Sequence, residues 1–149
     1  MMHLDDTDRK IVELLQGNAR MSVAEIARNI GLSRVAAHER FNRLVDAGVI
    51  EDFVAIVNSA ALGYTVSAFL EIEIAPNRLV PICEALASIP EVTIVYQMTG
   101  PTSLHVHAYA RDSDDLSNFL RDSVYPIEGV IKVTTSLLLK RFKSFLALR

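Results

Sequence analysis

The chain has 149 residues, enough for one generous domain or two small ones, and with half of them hydrophobic and 22% charged it is not a disordered polypeptide. A net charge of −3 gives no bulk attraction to nucleic acid, so any such binding must come from a local patch. Cys83 is the only cysteine, which excludes an internal disulfide; no apolar run approaches about eighteen residues, and the polar MMHLDDTDRK start lacks the form of a signal peptide, so the expected compartment is the cytoplasm.

From Leu4 to about Ile50 the apolar spacing is helical. Asp5, Asp6 and Asp8 crowd the first turn of a helix carrying Ile11, Leu14 and Leu15, where carboxylates complement the macrodipole, and Gly17-Asn18 stops it. Ser22, with Glu25 three residues on, forms a capping box for a second helix whose stripe is Val23, Ile26, Ala27 and Ile30. Gly31 ends that helix, and Ser33 caps a third whose inward stripe is Ala37, Phe41, Leu44 and Val45, ending at Gly48. Val49 to Val57 then reads as a short β ribbon, a wing beside the helices. Residues 1–57 are expected to form a winged helix-turn-helix domain, residues 58–64 a hinge, and residues 65–149 a second domain.

That second part alternates with period two and is broken by two helices. Val66, Ala68, Leu70, Ile72 and Ile74 face one way, with Ser67, Glu71 and Glu73 opposite. A helical stripe of Leu79, Val80, Cys83, Leu86 and Ala87 follows, then a strand carrying Val92, Ile94, Tyr96 and Met98. Thr99 to Thr102 is a turn, and Leu104, Val106, Ala108 and Ala110 a third strand. Asp112-Ser113 caps a helix burying Leu116, Phe119 and Leu120, and Ile131, Val133, Leu137 and Leu139 run along a fourth strand. The order β-α-β-β-α-β is a ferredoxin-like plan, so the fold class is α+β. Two helices cover one sheet face; the other carries Phe69, Val95, Tyr109 and Leu138, and a second subunit is the expected cover.

With the third helix wound at about 100° per residue, Val35, Glu39, Asn42 and Arg43 point outward, with His38 at the edge of that face. Arg34 lies in the first turn and Arg40 flanks the inward stripe. Arginine pairs bidentately with guanine or anchors phosphate, Asn42 suits adenine, and Glu39 can accept from cytosine. The expected DNA contacts are Ser33, Arg34, Val35, His38, Glu39, Arg40, Asn42 and Arg43. On its own such a helix would more often be a solvated face; the capped helix before it, the turn between them and the β ribbon after it favour DNA.

His105 and His107 share one strand face and, with Tyr109, resemble half a metal site. A third ligand at recognisable spacing is missing, because His3 and His38 belong to the other domain, so no metal or other cofactor is expected. Packing against a subunit partner is the preferred reading, with protonation near pH 6.5 loosening the assembly. Asp112, Asp114 and Asp115 serve a helix end, and no nucleophile elbow, phosphate loop or dinucleotide fingerprint is present, so no catalytic residue is assigned. The run Lys140-Arg141-Phe142-Lys143 is a modest basic patch that is either surface or DNA-facing.

The stretches LDDTDRKIVELLQGNAR, LSRVAAHERFNRLVDAGVI, ALGY, IPEV, Thr99-Gly100 and Glu128-Gly129-Val130, in this order, resemble the Lrp/AsnC family of transcription regulators over nearly the whole length. The resemblance implies a DNA-binding amino-terminal domain, a ligand-responsive α/β domain, homodimers associating into octamers or related rings, and amino-acid effectors. Carried over to this chain, the effector site would involve Thr99, Gly100, Pro101, Thr102 and Ser103. Two departures stand out. After Thr99-Gly100 the family usually has an acidic residue, one intervening position and another acidic residue, where this chain has Pro101, Thr102 and Ser103. That leaves the effector open between an amino acid, another small ligand and none. Glu39, too, occupies a commonly basic position, which should reduce non-specific phosphate attraction.

The expected function is a sequence-specific, homo-oligomeric DNA-binding regulator, without enzymatic activity. Two alternatives stand beside it. One is a tetrapyrrole decarboxylase on the same scaffold, whose run of His, Asn and Tyr after the second strand is replaced here by Tyr96-Gln97-Met98. The other is a nucleoid-like architectural protein that wraps DNA with little sequence preference.

Overall fold

A computed structural model describes residues 3–100 and 102–142 of the chain. The chain divides into two compact units between Ile56 and Val57.

The first unit holds three helices, α1 (Asp6–Gly17), α2 (Val23–Ile30) and α3 (Arg34–Asp46). Their ends are fixed by local chemistry. Asp5 caps α1 in a reciprocal box with Asp8, and Ser22 and Glu25 form the same box on α2. Gly31 leaves α2 at φ 72°, where a side chain would be strained, and the Ser33 hydroxyl accepts from the Ala36 N–H to start α3. Ile11, Leu15, Ile26 and Leu44 close the small core, each worth about 1.5–3 kcal/mol on full burial. Val45, read as inward, lies at the rim with 38% exposure, because the buried stripe of α3 is the narrow line Ala37 and Leu44 with Phe41 half-buried beside it.

The expected wing is absent: residues 49–58 form no strand. A ribbon needs a pairing partner, and this stretch finds none among the described residues. Phe53 instead stacks on Phe41 at 5.9 Å, while Val54, Ile56 and Val57 stay exposed.

The second unit is a four-stranded antiparallel sheet in the order β2-β3-β1-β4, built from β1 (Val66–Ile74), β2 (Val92–Gln97), β3 (Ser103–Ala110) and β4 (Val130–Leu137). With α4 (Leu79–Ala87) and α5 (Ser113–Phe119) between them, the chain runs β-α-β-β-α-β, as the periodicity requires. Ala68, Leu70, Ile72 and Ile74 of β1 and Leu104, Val106, Ala108 and Ala110 of β3 pack against Ile82, Leu86, Leu116, Phe119, Leu120 and Val124. The inward stripe of α4 is Leu79, Ile82, Cys83 and Leu86. Val80, assigned inward from the sequence, is 62% exposed, because that stripe lies one residue out of phase with it.

Two bulges alter which residues share a sheet face. In β2 the register slips between Val92 and Ile94, so Thr93 is extra. Val92 and Val95 therefore face the helices, and Ile94 and Tyr96 turn to the open side, the reverse of the expected place of Val95. The second slip lies between β1 and β4: Glu73 pairs with Lys132 and Ile74 with Val130, which leaves Ile131 out of the pattern and 62% exposed. Leu137 at the end of this edge strand and Leu139 beyond it also remain exposed, although the sequence pattern places both along the strand. The open face carries Phe69, Glu71, Glu73, Ile94, Tyr96, Ser103, His105, His107, Tyr109, Lys132 and Thr134. Among the described residues no helix is long and apolar enough to cross a membrane.

Candidate nucleic-acid interface

Helix α3 has two polar sides with different work. Val35, His38, Glu39 and Asn42 follow at i, i+3, i+4 and i+7 and form one exposed stripe, with Ser33 and Arg34 exposed at its amino end. Val35 is 69% exposed, an apolar tip where polar residues would be expected, and Asn42 lies 3.3 Å from the His38 ring. Arg34 has no ion-pair partner among the described residues.

Arg40 and Arg43 lie on the other side and turn to α1. The Asp8 side chain is 1% exposed, and its carboxylate accepts from Arg40 Nη1 at 2.8 Å and from Arg43 Nη2 at 2.9 Å on both oxygens. The Asp5 N–H completes the set at 3.2 Å. Arg40 also reaches Asp5 at 2.7 Å. The Asp5 carboxyl is drawn down to about 2, first by the Asp8 N–H it accepts and then by Arg40. A buried carboxylate on α1 is thus held by two arginines of α3, and this fixes the azimuth at which α3 presents its stripe. Of the eight expected contact residues, the structure groups Ser33, Arg34, Val35, His38, Glu39 and Asn42 on the exposed side and commits Arg40 and Arg43 to the Asp8 clamp. Sequence reasoning treated Asp8 only as a helix-end charge. Its burial was not readable from spacing, since its partners are 32 and 35 residues away.

In the second unit, Thr102 and Ser103 line a hollow of about 220 Å³ with Glu71, Glu73, Lys132 and Thr134. Thr99 and Gly100 are exposed and do not line it; Pro101 lies outside the described residues, as does Lys143 of the basic run. The hairpin holding Thr102 is pinned by the Ile74 N–H donating to the Thr102 carbonyl at 2.8 Å and the Met98 N–H donating to Ser103 O at 2.9 Å. Two carboxylates of β1 therefore stand beside the loop whose own acidic residues are missing. The alternation of Glu71 and Glu73 on one strand face was the available signal for them. A larger hollow of about 550 Å³ lies among Lys10, Leu14, Met21, Asn29 and Ile30 and involves no residue of α3.

Cys83 packs half-buried against the sheet core, and burial pushes its thiol up, as expected of an inert side chain. His105 and His107 meet on the open face with their Nε2 atoms 3.0 Å apart, and burial together with His105 lowers the His107 pKa.

A capped helix-turn-helix followed by an α+β sheet unit is the two-part architecture of a DNA-binding regulator. Residues 4–45 match the AsnC-type helix-turn-helix domain, and residues 67–148 the Lrp/AsnC ligand binding domain. The chain belongs to the Lrp/AsnC family of transcriptional regulators. It is 39% identical to the HTH-type transcriptional regulator FL11 of Pyrococcus furiosus, over 94% of this chain and 92% of that one. To Ptr1 of Methanocaldococcus jannaschii, another HTH-type transcriptional regulator, it is 35% identical over 94% and 95%. Among solved structures, a Neisseria meningitidis transcriptional regulator in complex with L-Met superposes with a TM-score of 0.89 at 28% identity, covering 99% of this chain and 97% of that one. AsnC of E. coli superposes at 0.86 with 30% identity and 97% coverage of both.

Proposed function

We propose that this regulator binds operator DNA through the exposed side of α3, with Arg34 on phosphate and Val35, His38, Glu39 and Asn42 at base edges, while Arg40 and Arg43 hold the helix in place. The observation that carries the reading is the partition of α3 into a free stripe and a clamped flank. In a helix-turn-helix, the amino-terminal residues of the second helix meet the groove, and this is where Ser33, Arg34 and Val35 lie. Val35 suits a thymine methyl and Asn42 an adenine edge. The domain division is read as residues 1–57, a hinge at 58–64 and residues 65–149.

The homo-oligomer is supported by the sheet, whose open side carries Phe69, Ile94 and Tyr96 away from α4 and α5, and by the exposed Val54, Ile56 and Val57. Paired protomers would present two copies of α3 to successive major-groove faces of an imperfectly twofold operator. The hollow beside Thr102 and Ser103 is the proposed effector site. Glu71 and Glu73 offer carboxylates for an ammonium group and Lys132 a cation for a carboxylate, so a small zwitterion fits its chemistry. The L-Met complex of the Neisseria relative supports a ligand of that kind. The cytoplasm is the proposed compartment.

The test begins by sequencing the genomic fragments that the purified protein retains, then measures binding by fluorescence anisotropy across a salt series. Arg34→Ala is expected to weaken binding to all fragments and lower the salt slope by about 0.9. Asn42→Ala should cost roughly 1–3 kcal/mol on the preferred fragment alone. Unchanged affinity and slope in both variants would remove the stripe from the interface.

A further inference from the structure

The open sheet face holds two imidazoles whose arrangement the regulator's DNA-reading role does not use. His105 and His107 alternate on β3, so both rings leave the same face. Their Nε2 atoms converge to 3.0 Å, with ring centroids 5.0 Å apart and planes at 71°. Phe69 sets this geometry, packing edge-on against His107 at 4.2 Å and tilted against His105 at 5.7 Å. Two nitrogens bound tetrahedrally to one ion at zinc–imidazole distances stand about 3.3 Å apart. The pair, at 3.0 Å, therefore needs only a small opening to admit a metal between its nitrogens.

The nearest charged neighbour of the pair is a carboxylate, with Lys132 opposite Glu73 and Arg141 on the Tyr109 hydroxyl further off. Glu71 is the direct cross-strand partner of His105, and Glu73 lies two residues further along the same face. Neither closes on the imidazoles: among the described residues, no three potential ligands come together within one chain. Further ligands must come from outside the protomer. A twofold partner whose axis passes beside His105 and His107 would bring an identical imidazole pair, and two pairs make four nitrogens, the number a tetrahedral ion takes.

We propose that His105 and His107 are a half-site for a divalent transition metal of the zinc or cobalt class, completed by the same two histidines of a second copy of this chain. The inference rests on the homo-oligomer reading above. Neutral imidazole nitrogens are borderline donors that suit this class of ion rather than calcium or magnesium. Each ring binds the ion in its neutral form, with its one N–H on Nδ1, so a proton must leave only where the ring is imidazolium and binding weakens in acid.

The experiment uses the full chain stripped with a chelator. Cobalt(II) is titrated and followed by its visible absorption, zinc by calorimetry, and the oligomeric state is measured with and without metal by sedimentation. The expected result is one ion per two chains with a tetrahedral cobalt spectrum. His105→Asn with His107→Asn should lose that spectrum and weaken binding by about a hundredfold or more, and the single variants about tenfold or more. A stable dimer that shows no such spectrum overturns the metal site and leaves the homo-oligomer standing. A protomer that stays single in both conditions and binds no metal overturns both. One ion per chain with an octahedral spectrum, or equal binding by the double variant, overturns the four-imidazole site.

Discussion

Removing both clamping arginines, Arg40→Ala with Arg43→Ala, tests whether these residues hold the protein or the DNA. In the double variant the Asp8 carboxylate, 1% exposed, keeps only the Asp5 N–H at 3.2 Å. Leaving a buried charge without its partners costs about 3–5 kcal/mol. A unit of this length has a total stability of about 3–8 kcal/mol. The variant should therefore melt at least about 10 °C lower by circular dichroism at pH 7, with much of the amino-terminal unit unfolded at room temperature. Adding Asp8→Asn to the same background removes the charge while keeping an acceptor for the Asp5 N–H, and should restore more than half of the loss. Either arginine alone should matter less, because the other still neutralises Asp8. A double variant that melts within about 2 °C of the parent, yet loses its affinity for DNA, would refute this reasoning and return both arginines to the nucleic-acid interface.

Other expectations follow from the second unit. Gly129 sits at φ 99°, and a methyl group there would meet Arg78 Cβ at 2.9 Å. Gly129→Ala should cost roughly 2–4 kcal/mol, read as a lower thermal midpoint for the sheet unit; a shift under about 2 °C would contradict the packing argument. Below pH 6.5 the unfolded chain takes up a proton that folded His107 resists, so stability is full above 6.5 and is lost as pH falls toward the lowered value in the fold. The groups facing this pair are Glu71 on β1, Tyr96 on β2 and Tyr109 on β3. Chelator-treated His107→Asn should lose less thermal stability than the parent between pH 7.5 and 5.5, and equal losses would remove the role of His107.

The helix boundaries were legible because their causes are local: Asp5 with Asp8, Ser22 with Glu25, Gly31 and Ser33 all act within four residues of one another. The strands β1 and β3 and their faces were legible because Val66–Ile74 and Ser103–Ala110 keep strict alternation. The faces of β2 and β4 were not, since one extra residue at Thr93 and another at Ile131 each invert the alternation beyond them. The wing failed for a related reason, as a strand-like sequence says nothing of whether a pairing edge is within reach. Arg40 and Arg43 showed the limit most clearly. Their helical phase places them outside the core, yet both pair with a buried carboxylate more than thirty residues earlier in the chain, which their spacing does not reveal.

Because anchoring falls to Arg40 and Arg43, the positions at 35, 38, 39 and 42 carry no duty toward the helix bundle. If those positions meet base edges as proposed, changes there would redirect which promoters are chosen without endangering the scaffold. New specificities on this framework are best sought at those four places, with the Asp8 anchor left untouched.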